Sequence, residues 1–188
     1  LYVCGKFLKS QGKLNGNTVV TTVMSNMGLY KAFEAEGINY EQTAVGDKYV
    51  AENMLENNYS IGGEQSGHVI FSRYAATGDG ILTSLMIMEA CVEQKATLCD
   101  LAKEMKVYPQ ILRNVRVADK KTARENPKVV EAVEAAARAL STDGRILVRE
   151  SGTEPLIRVM VEAGTEEICA EHVNNVVRVM EEEGLVVE

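Results

Sequence analysis

Short β-branched segments alternate with amphipathic helical segments through the first half of the 188-residue chain. Residues 18–24, Thr-Val-Val-Thr-Thr-Val-Met, have the pattern of a buried strand, and residues 27–36 carry apolar side chains at helical spacing before Gly37. A second strand-like segment at 38–45 precedes a second helical segment at 47–57. This order predicts an α/β domain, a mixed sheet with helices on both faces.

The same alternation continues towards the middle of the chain. Strand-like segments at 59–61 and 69–72 flank a glycine-rich stretch, and helices are predicted at 80–93 and 98–105. The apolar run within the longer helix, residues 81–92, contains two hydroxyl side chains and a glutamate and is too short to span a bilayer. We therefore interpret it as a buried helix.

Hydrophobic density falls around residues 118–127, which is typical of a linker, and we predict a domain boundary near Asp119. Asn126 is suited to cap a new helix, with Pro127 at its first position. The segments that follow alternate between helix and strand and predict a smaller α+β domain. They are a helix at 129–140, strands at 145–149 and 156–162, and a helix at 166–183.

Charge and cysteine usage limit the function classes. The net charge of −7 disfavours general binding to nucleic acid or to a membrane, because both surfaces are anionic. The four cysteines form no CxxC pair and no zinc-ligand spacing with a histidine, so buried thiols in a reducing cytoplasm are favoured over disulfides. The start of the chain lacks the pattern of a signal peptide, and we predict a cytoplasmic location.

The run from Arg149 to Arg158 has the chemistry of an anion site, because a strand ends there in a Ser-Gly-Thr turn. Gly152 permits unusual backbone angles that aim N–H groups at one point. The hydroxyls of Ser151 and Thr153 add donors, and Arg149 supplies a bidentate cation. A plain hairpin accounts for these residues equally well. Arg158 is either a second phosphate contact or an exposed strand residue. We call residues 151–155 the Ser-Gly-Thr loop.

A second candidate site is the stretch Gly-Gly-Glu-Gln-Ser-Gly-His at residues 62–68, the glycine loop. Its three glycines let the backbone approach a ligand closely. Glu64 can accept two hydrogen bonds from vicinal sugar hydroxyls and Ser66 can make one more, which suits equatorial O3 and O4. A simple connection between strands is the alternative. His68 either assists charge or proton balance or packs under the loop.

Both loops resemble signatures of the α-D-phosphohexomutase superfamily. Residues 149–161 resemble the phosphate-binding loop of its final domain, and residues 63–68 resemble the sugar-binding signature of its domain three. The resemblance implies two groups of binding residues. The residues that hold the non-reacting phosphate are Arg149, Ser151, Gly152 and Thr153, with Arg158 as a further candidate. The residues that bind sugar hydroxyls are Glu64 and Ser66.

Two further segments share this resemblance. Val-Gly-Asp-Lys-Tyr at 45–49 resembles the segment that presents a basic residue at the cleft, so Lys48, with His68, is a candidate assisting residue. Thr-Gly-Asp-Gly at 77–80 resembles the segment before the long helix, where we expect Asp79 to be a helix cap and not a metal ligand.

The resemblance also implies which parts of such an enzyme the chain contains. Residues 1–16 would be the terminal helix of the preceding domain two, 17–118 domain three and 119–188 domain four. The family mechanism uses a phosphoserine, a bisphosphorylated sugar and Mg²⁺, whose residues belong to the first two domains. No matching serine loop or Asp-Gly-Asp loop occurs in this sequence. We therefore predict no catalytic residue and no metal ligand here, and an inactive fragment when it is alone.

The loops are most similar to those of superfamily members that interconvert glucosamine 6-phosphate and glucosamine 1-phosphate, on the route to UDP-N-acetylglucosamine. The implied partners are a phosphorylated hexosamine and the missing N-terminal domains, and a homodimer is left open. The alternatives are a mutase acting on glucose or mannose phosphates and a non-catalytic phosphosugar-binding module. A nucleotide-binding domain is disfavoured, because neither glycine cluster follows a strand and opens a helix.

Overall fold

The computed structural model describes residues 1–187 and divides into two compact units, Leu1–Val107 and Tyr108–Glu188. Each unit has its own sheet and its own hydrophobic core. The helices of the first unit are α1 (Tyr2–Ser10), α2 (Met27–Ala35), α3 (Asp47–Asn57), α4 (Gly80–Gln94) and α5 (Leu98–Ala102). Its strands are β1 (Thr18–Thr22), β2 (Asn39–Thr43), β3 (Ile61–Gly63) and β4 (Val69–Phe71).

The sheet of the first unit is mixed, with the strand order β2-β1-β3-β4. β1 is parallel to both β2 and β3, and β4 returns antiparallel to β3. Alternate β1 residues face opposite cores, because Val19 packs with Phe33 and the helices of one face while Val20 packs with Val50 of α3 on the other. The predicted mixed sheet with helices on both faces is therefore confirmed.

Helix α1 belongs to the first unit, contrary to the expectation that residues 1–16 end a preceding domain. Its side chains Tyr2, Cys4 and Phe7 are buried in the main core of this unit. Gly5 allows the helix to lie close to β1, since a Cβ at that position would stand 2.9 Å from a methyl carbon of Val19. The amphipathic pattern identified the helix, but it does not show which sheet the apolar side contacts.

Helix α4 is only half covered, although its sequence predicted a buried helix. Met86 and Ala90 lie in the core of the first unit, whereas Ile81 and Val92 on the opposite side are 79% and 75% exposed. The side chains of this helix are apolar on both faces, so composition alone indicated burial. Within residues 1–187, none of the helices combines the length and apolar character that crossing a bilayer requires.

The second unit is an antiparallel sheet covered on one face by helices. Its strands have the order β5-β7-β6, and β7 pairs with both neighbours. Val159 and Val161 of the central strand pack against Val173 and Val176 in a single core. This arrangement confirms the smaller sheet-containing domain. The elements are β5 (Gln110–Arg116), α6 (Lys120–Glu125), α7 (Pro127–Leu140), β6 (Arg145–Glu150), β7 (Leu156–Glu162) and α8 (Glu166–Glu182).

The division between the units lies before Tyr108 and not near Asp119. The reason is that β5 pairs along its whole length with β7, which places residues 110–116 in the second sheet. The predicted linker is also a helix, because Asp119 caps α6 by accepting a hydrogen bond from the Thr122 N–H at 2.6 Å. Its polar composition reflects an exposed short helix with one buried residue, Ala123.

Candidate functional site

The glycine loop lies at the edge of the first sheet where three parallel strands end. β1, β2 and β3 run in the same direction, so the segments after each of them, residues 23–26, 44–46 and 64–68, share that edge. The carboxyl edge of parallel strands is where α/β proteins bind their ligands. The topology thus places the glycine loop where a binding function is expected.

Two of the three glycines in this loop serve packing. A Cβ on Gly62 would lie 2.6 Å from the sulfur of Met54, and a Cβ on Gly63 would lie 2.4 Å from the backbone oxygen of His68. Both positions therefore exclude a side chain. Gly67 is different, since it has a φ of +102° and open space around it. Only this third glycine leaves room on the loop surface for a ligand.

The carboxylate of Glu64 is held from two sides. Its Oε1 accepts a hydrogen bond from the Ser66 hydroxyl at 2.9 Å, and its Oε2 accepts one from the Gly46 N–H at 3.2 Å. The side chain is only 12% exposed. Gly46 stands just before α3 with a φ of +135°, a conformation suited to glycine. The glycine-loop motif predicted Glu64 but gave no signal for Gly46, whose contact depends on the pairing of β1 with both β2 and β3.

Ser66 and His68 complete a small polar cluster with Glu64. The Ser66 hydroxyl oxygen lies 2.9 Å from Nδ1 of His68, which is 3.6 Å from Oε1 of Glu64. Because the hydroxyl has one proton, donation to Glu64 requires the Nδ1–H of His68 to donate to Ser66. The imidazole is 54% exposed and thus does not pack under the loop. The structure brings three of the predicted residues together.

Lys48 does not join this cluster. Its ammonium group lies 3.7 Å from Glu52 one helical turn away and 5.9 Å from the ring centre of Tyr49. Exposed pairs of this kind contribute little and leave the side chain free to rotate. The expected helix cap is observed nearby, since the Asp79 carboxylate accepts a hydrogen bond from the Leu82 N–H at 2.9 Å.

The Ser-Gly-Thr loop connects β6 to β7 in the second unit. Ser151 is buried, its hydroxyl oxygen accepts a hydrogen bond from the Glu154 N–H at 3.3 Å, and its carbonyl accepts one from Lys120 at 2.7 Å. These bonds fix the turn, and in them the Ser151 hydroxyl acts as an acceptor. Gly152 and Thr153 are exposed at the tip.

Gly152 has a different role from the expected one. Its φ lies outside the left-handed region, so the turn does not need unusual backbone angles at this position. A Cβ there would meet no atom within 4 Å. The glycine therefore leaves open space over the loop backbone, which a ligand oxygen can approach.

Arg149 and Arg158 lie directly opposite each other on β6 and β7, just below this loop. The Nε of each is buried without a hydrogen-bond partner. Burial lowers the pKa of Arg149, and the adjacent charge of Arg158 lowers it further. The one described ion pair of Arg158 is with exposed Glu154, at 3.3 Å. Two neighbouring cations with unpartnered buried donors have the chemistry that an anion site requires, so the predicted phosphate-binding role of Arg149 extends to Arg158 as a candidate.

Replacement of Gly152 by alanine separates ligand approach from folding. We expect Gly152→Ala to weaken binding of inorganic phosphate by about tenfold, because a methyl group would displace one hydrogen-bonded oxygen, while thermal stability stays the same or rises. Isothermal titration and thermal unfolding measure the two effects. Gly164→Ala is the matched control, since Gly164 also has open surroundings but lies outside the loop. Unchanged phosphate affinity in Gly152→Ala would contradict this role.

Among the described residues, we assign no binding role to side-chain clusters or cavities outside the two loops. Across residues 1–187, no three His, Cys, Asp or Glu side chains converge in a way that could hold a metal ion. A cavity of about 570 Å³ in the first unit is lined by residues that include Lys13, Ser60 and Arg73. Ser60 precedes β3, so this cavity lies at the opposite sheet edge from the glycine loop. No sequence pattern indicated it.

The two units of the chain match two domains of one protein family. The family described as "Phosphoglucomutase/phosphomannomutase, alpha/beta/alpha domain III" matches residues 1–108, and its "C-terminal domain" matches residues 112–179. The chain belongs to the phosphoglucomutase/phosphomannomutase family. The first match includes residues 1–16, in agreement with the position of α1 in the first core.

Within this family, the chain is similar to enzymes named phosphoglucosamine mutase. It is 60% identical to that of Lachnospira eligens over 187 residues, which are 100% of this chain and 42% of the relative. It is 53% identical to that of Bacillus subtilis over 183 residues, which are 97% of this chain and 41% of the relative. The chain thus spans about two-fifths of the length of these curated relatives.

Solved structures share the fold at lower identity. An Aspergillus fumigatus N-acetylphosphoglucosamine mutase in complex with GlcNAc-6P and magnesium has a TM-score of 0.76 and 18% identity, over 97% of this chain and 42% of that one. An N-acetylglucosamine-phosphate mutase in its substrate complex also has a TM-score of 0.76, with 22% identity over 95% of this chain and 43% of that one.

Proposed function

We propose that this chain is the substrate-binding C-terminal part of a phosphoglucosamine mutase, which interconverts glucosamine 6-phosphate and glucosamine 1-phosphate. The observation that carries the proposal is the facing pair Arg149 and Arg158, whose buried Nε donors have no partner. The identity of 60% to a named phosphoglucosamine mutase supports the choice of sugar.

In this proposal, the first unit binds the hydroxyl groups of the sugar. Glu64 is held in place by Ser66 and Gly46, so its remaining lone pairs can accept bonds from two vicinal hydroxyls without a loss of side-chain freedom on binding. His68 is the candidate assisting residue of this unit, with its Nδ1 3.6 Å from Oε1 of the Glu64 carboxylate. Lys48 would assist only after turning away from Glu52.

The second unit binds the phosphate that does not react. Arg149 and Arg158 supply positive charge and fixed N–H donors, and a bound phosphate dianion would offset the repulsion between them. The Ser151 hydroxyl and the backbone at Gly152 and Thr153 supply further donors above the arginine pair. A phosphate held at several points fixes the orientation of the sugar attached to it.

The transfer itself requires groups from outside this chain. In the proposed reaction, a phosphoserine elsewhere in the polypeptide gives its phosphoryl group to the sugar phosphate, and the bisphosphorylated sugar returns its other phosphoryl group. Mg²⁺, which is named with the Aspergillus structure, would offset charge on the transferring oxygens. The described residues of this chain offer no cluster for the ion, so the chain alone is expected to bind substrate without isomerising it. A cytoplasmic location stays a prediction.

A chimera tests this function. The N-terminal part of the Lachnospira eligens relative is joined to this chain in place of the matching C-terminal part. We expect the phosphorylated chimera to isomerise glucosamine 6-phosphate in preference to glucose or mannose 6-phosphate, and the isolated chain to show no turnover. Glu64→Gln should lower kcat/KM of the chimera by about 100-fold, because the amide offers one acceptor where the carboxylate offers two.

Exposed Glu56 of α3 provides the control, since Glu56→Gln makes the same exchange away from the glycine loop. A chimera that prefers mannose 6-phosphate or glucose 6-phosphate would contradict the proposed substrate and identify the preferred sugar phosphate as the substrate. Isomerisation by the isolated chain would contradict the assignment of the transfer chemistry to the missing part.

A further inference from the structure

A continuous apolar stripe runs along the outer side of α4. Its four residues stand at positions i, i+4, i+7 and i+11, the spacing of one helical face. All four are large and exposed, from 54% at Met88 to 79% at Ile81. The residues of this α4 stripe are Ile81, Leu85, Met88 and Val92.

The stripe lies opposite the side of α4 that packs on the sheet. Met86 and Ala90, which are buried in the first core, follow Leu85 and Met88 by one and two positions and point the other way around the helix. A helix that is apolar on all sides is normally covered on all sides. Exposed apolar residues that are contiguous mark a contact surface, whereas single ones do not.

We propose that the α4 stripe is the docking surface for the rest of a phosphoglucosamine mutase polypeptide, which would present an apolar face to it. This inference rests on the proposed function. The supporting observation is that this chain corresponds to only 42% of a relative that is 60% identical. The stripe itself carries no charged residue, so the covering surface is expected to be apolar as well.

A second copy of the chain is the competing occupant, and two considerations disfavour it. Two copies with a net charge of −7 each repel one another. A covalently linked domain, in contrast, docks at an effective concentration of about millimolar without paying for association of separate molecules. The intramolecular partner therefore covers the stripe first wherever it is present.

The rate of methionine oxidation tests directly whether the α4 stripe is covered. Met88 is exposed, whereas Met54 and Met86 in the same unit are buried and serve as internal standards for folding. With limiting hydrogen peroxide and mass spectrometry, Met88 is expected to oxidise about tenfold more slowly in the chimera than in the isolated chain, because oxidation then requires local opening. Equal Met88 rates in the two proteins, with slow Met54 and Met86, would overturn the proposal.

Charge insertion gives an independent measurement. Ile81→Glu should leave the melting temperature of the isolated chain unchanged and lower that of the chimera. Ile168→Glu is the matched control, because Ile168 is also an exposed isoleucine in the first turn of a helix, α8. An isolated chain whose Met88 protection rises with protein concentration and vanishes in Ile81→Glu would identify a second copy as the occupant and overturn the proposal. Neither measurement depends on turnover, so a protected Met88 in an inactive chimera would count against the proposed reaction only.

Discussion

Replacement of Arg149 by alanine is expected to weaken phosphate binding by about 10- to 100-fold, the effect of losing charged hydrogen bonds of about 1.5–3 kcal/mol. The guanidinium lies opposite Arg158, and its buried Nε has no hydrogen-bond partner. Titration of the chain with inorganic phosphate and with glucosamine 6-phosphate measures the loss. Both ligands should be affected to the same extent, because the site binds the phosphate group they share.

The same substitution should not lower the stability of the ligand-free chain. In the absence of an anion, burial and the charge of Arg158 both oppose the charged form of Arg149, which is the origin of its lowered pKa. Alanine removes a half-buried cation next to another cation, so the melting temperature should stay the same or rise. Weaker binding together with equal or higher stability is the result expected for a residue that serves binding and not folding.

Two comparisons make the Arg149 result specific. Arg138→Ala removes an exposed arginine of α7 that pairs with Glu134 one turn away, and it should change neither binding nor stability. Arg149→Lys keeps the charge but loses the planar fork, so its affinity should fall between those of wild type and Arg149→Ala. Phosphate affinity in Arg149→Ala equal to that of wild type, or a marked loss of stability, would show that this arginine is structural.

Local chemistry allowed much of the fold to be predicted from the sequence. The predicted α3 and β7 coincide with the observed Asp47–Asn57 and Leu156–Glu162, and Asn126 caps α7 as expected. In each case the signal lies within a few residues of the element, as helical or alternating spacing or as a cap. Such signals do not depend on what the element later contacts.

Where the observed fold differs from the predicted one, the cause is a contact between residues distant in sequence. The pairing of β5 with β7 joins residues that are 40 to 52 positions apart and moves the division of the units to Tyr108. The coverage of α1 and the exposure of one side of α4 also depend on neighbours that an apolar pattern does not identify. Periodicity shows that a face is apolar, and only the tertiary structure shows what lies against it.

The proposed binding residues show the same division between local signals and long-range contacts. Glu64, Ser66 and Arg149 stand within recognisable local motifs and were identified from them. The contribution of Arg158 depends on the register of the β6–β7 hairpin, which places it opposite Arg149. A tight turn between two strands of known length fixes such a register, so the facing pair was in principle accessible from the sequence. The contact of Gly46 with Glu64 had no such local signal.

Gly63→Ala is expected to destabilise the first unit strongly, with a loss of at least about 3 kcal/mol in the free energy of unfolding. The new Cβ would stand 2.4 Å from the carbonyl oxygen of His68 and 3.1 Å from the Cα of Val69. Both are backbone atoms, one at the first residue of β4 and one at the residue before it, so no side-chain rotation relieves the overlap. The β3–β4 pairing must open instead.

Opening of this hairpin would also disperse the polar cluster above it. The hydrogen bond from the Glu64 N–H to the His68 carbonyl, at 3.0 Å, closes the base of the loop that carries Ser66. Gly63→Ala should therefore remove sugar-hydroxyl binding together with stability, in contrast to Gly152→Ala, which should affect phosphate binding alone. Thermal unfolding, with the amide spectra of residues 61–71, distinguishes local opening from global loss of structure.

The control for Gly63→Ala is the same exchange at Gly80, the first residue of α4. A Cβ there meets no atom within 4 Å, and the position is helical, so alanine should stabilise the chain by about 0.5–1 kcal/mol. A free energy of unfolding that falls in Gly63→Ala and rises in Gly80→Ala would show that the loss at Gly63 comes from the close approach of β4. It would exclude a general intolerance of alanine. A Gly63→Ala variant as stable as wild type would mean that β3 and β4 can separate without loss, and the close approach at His68 would then have no part in positioning Glu64.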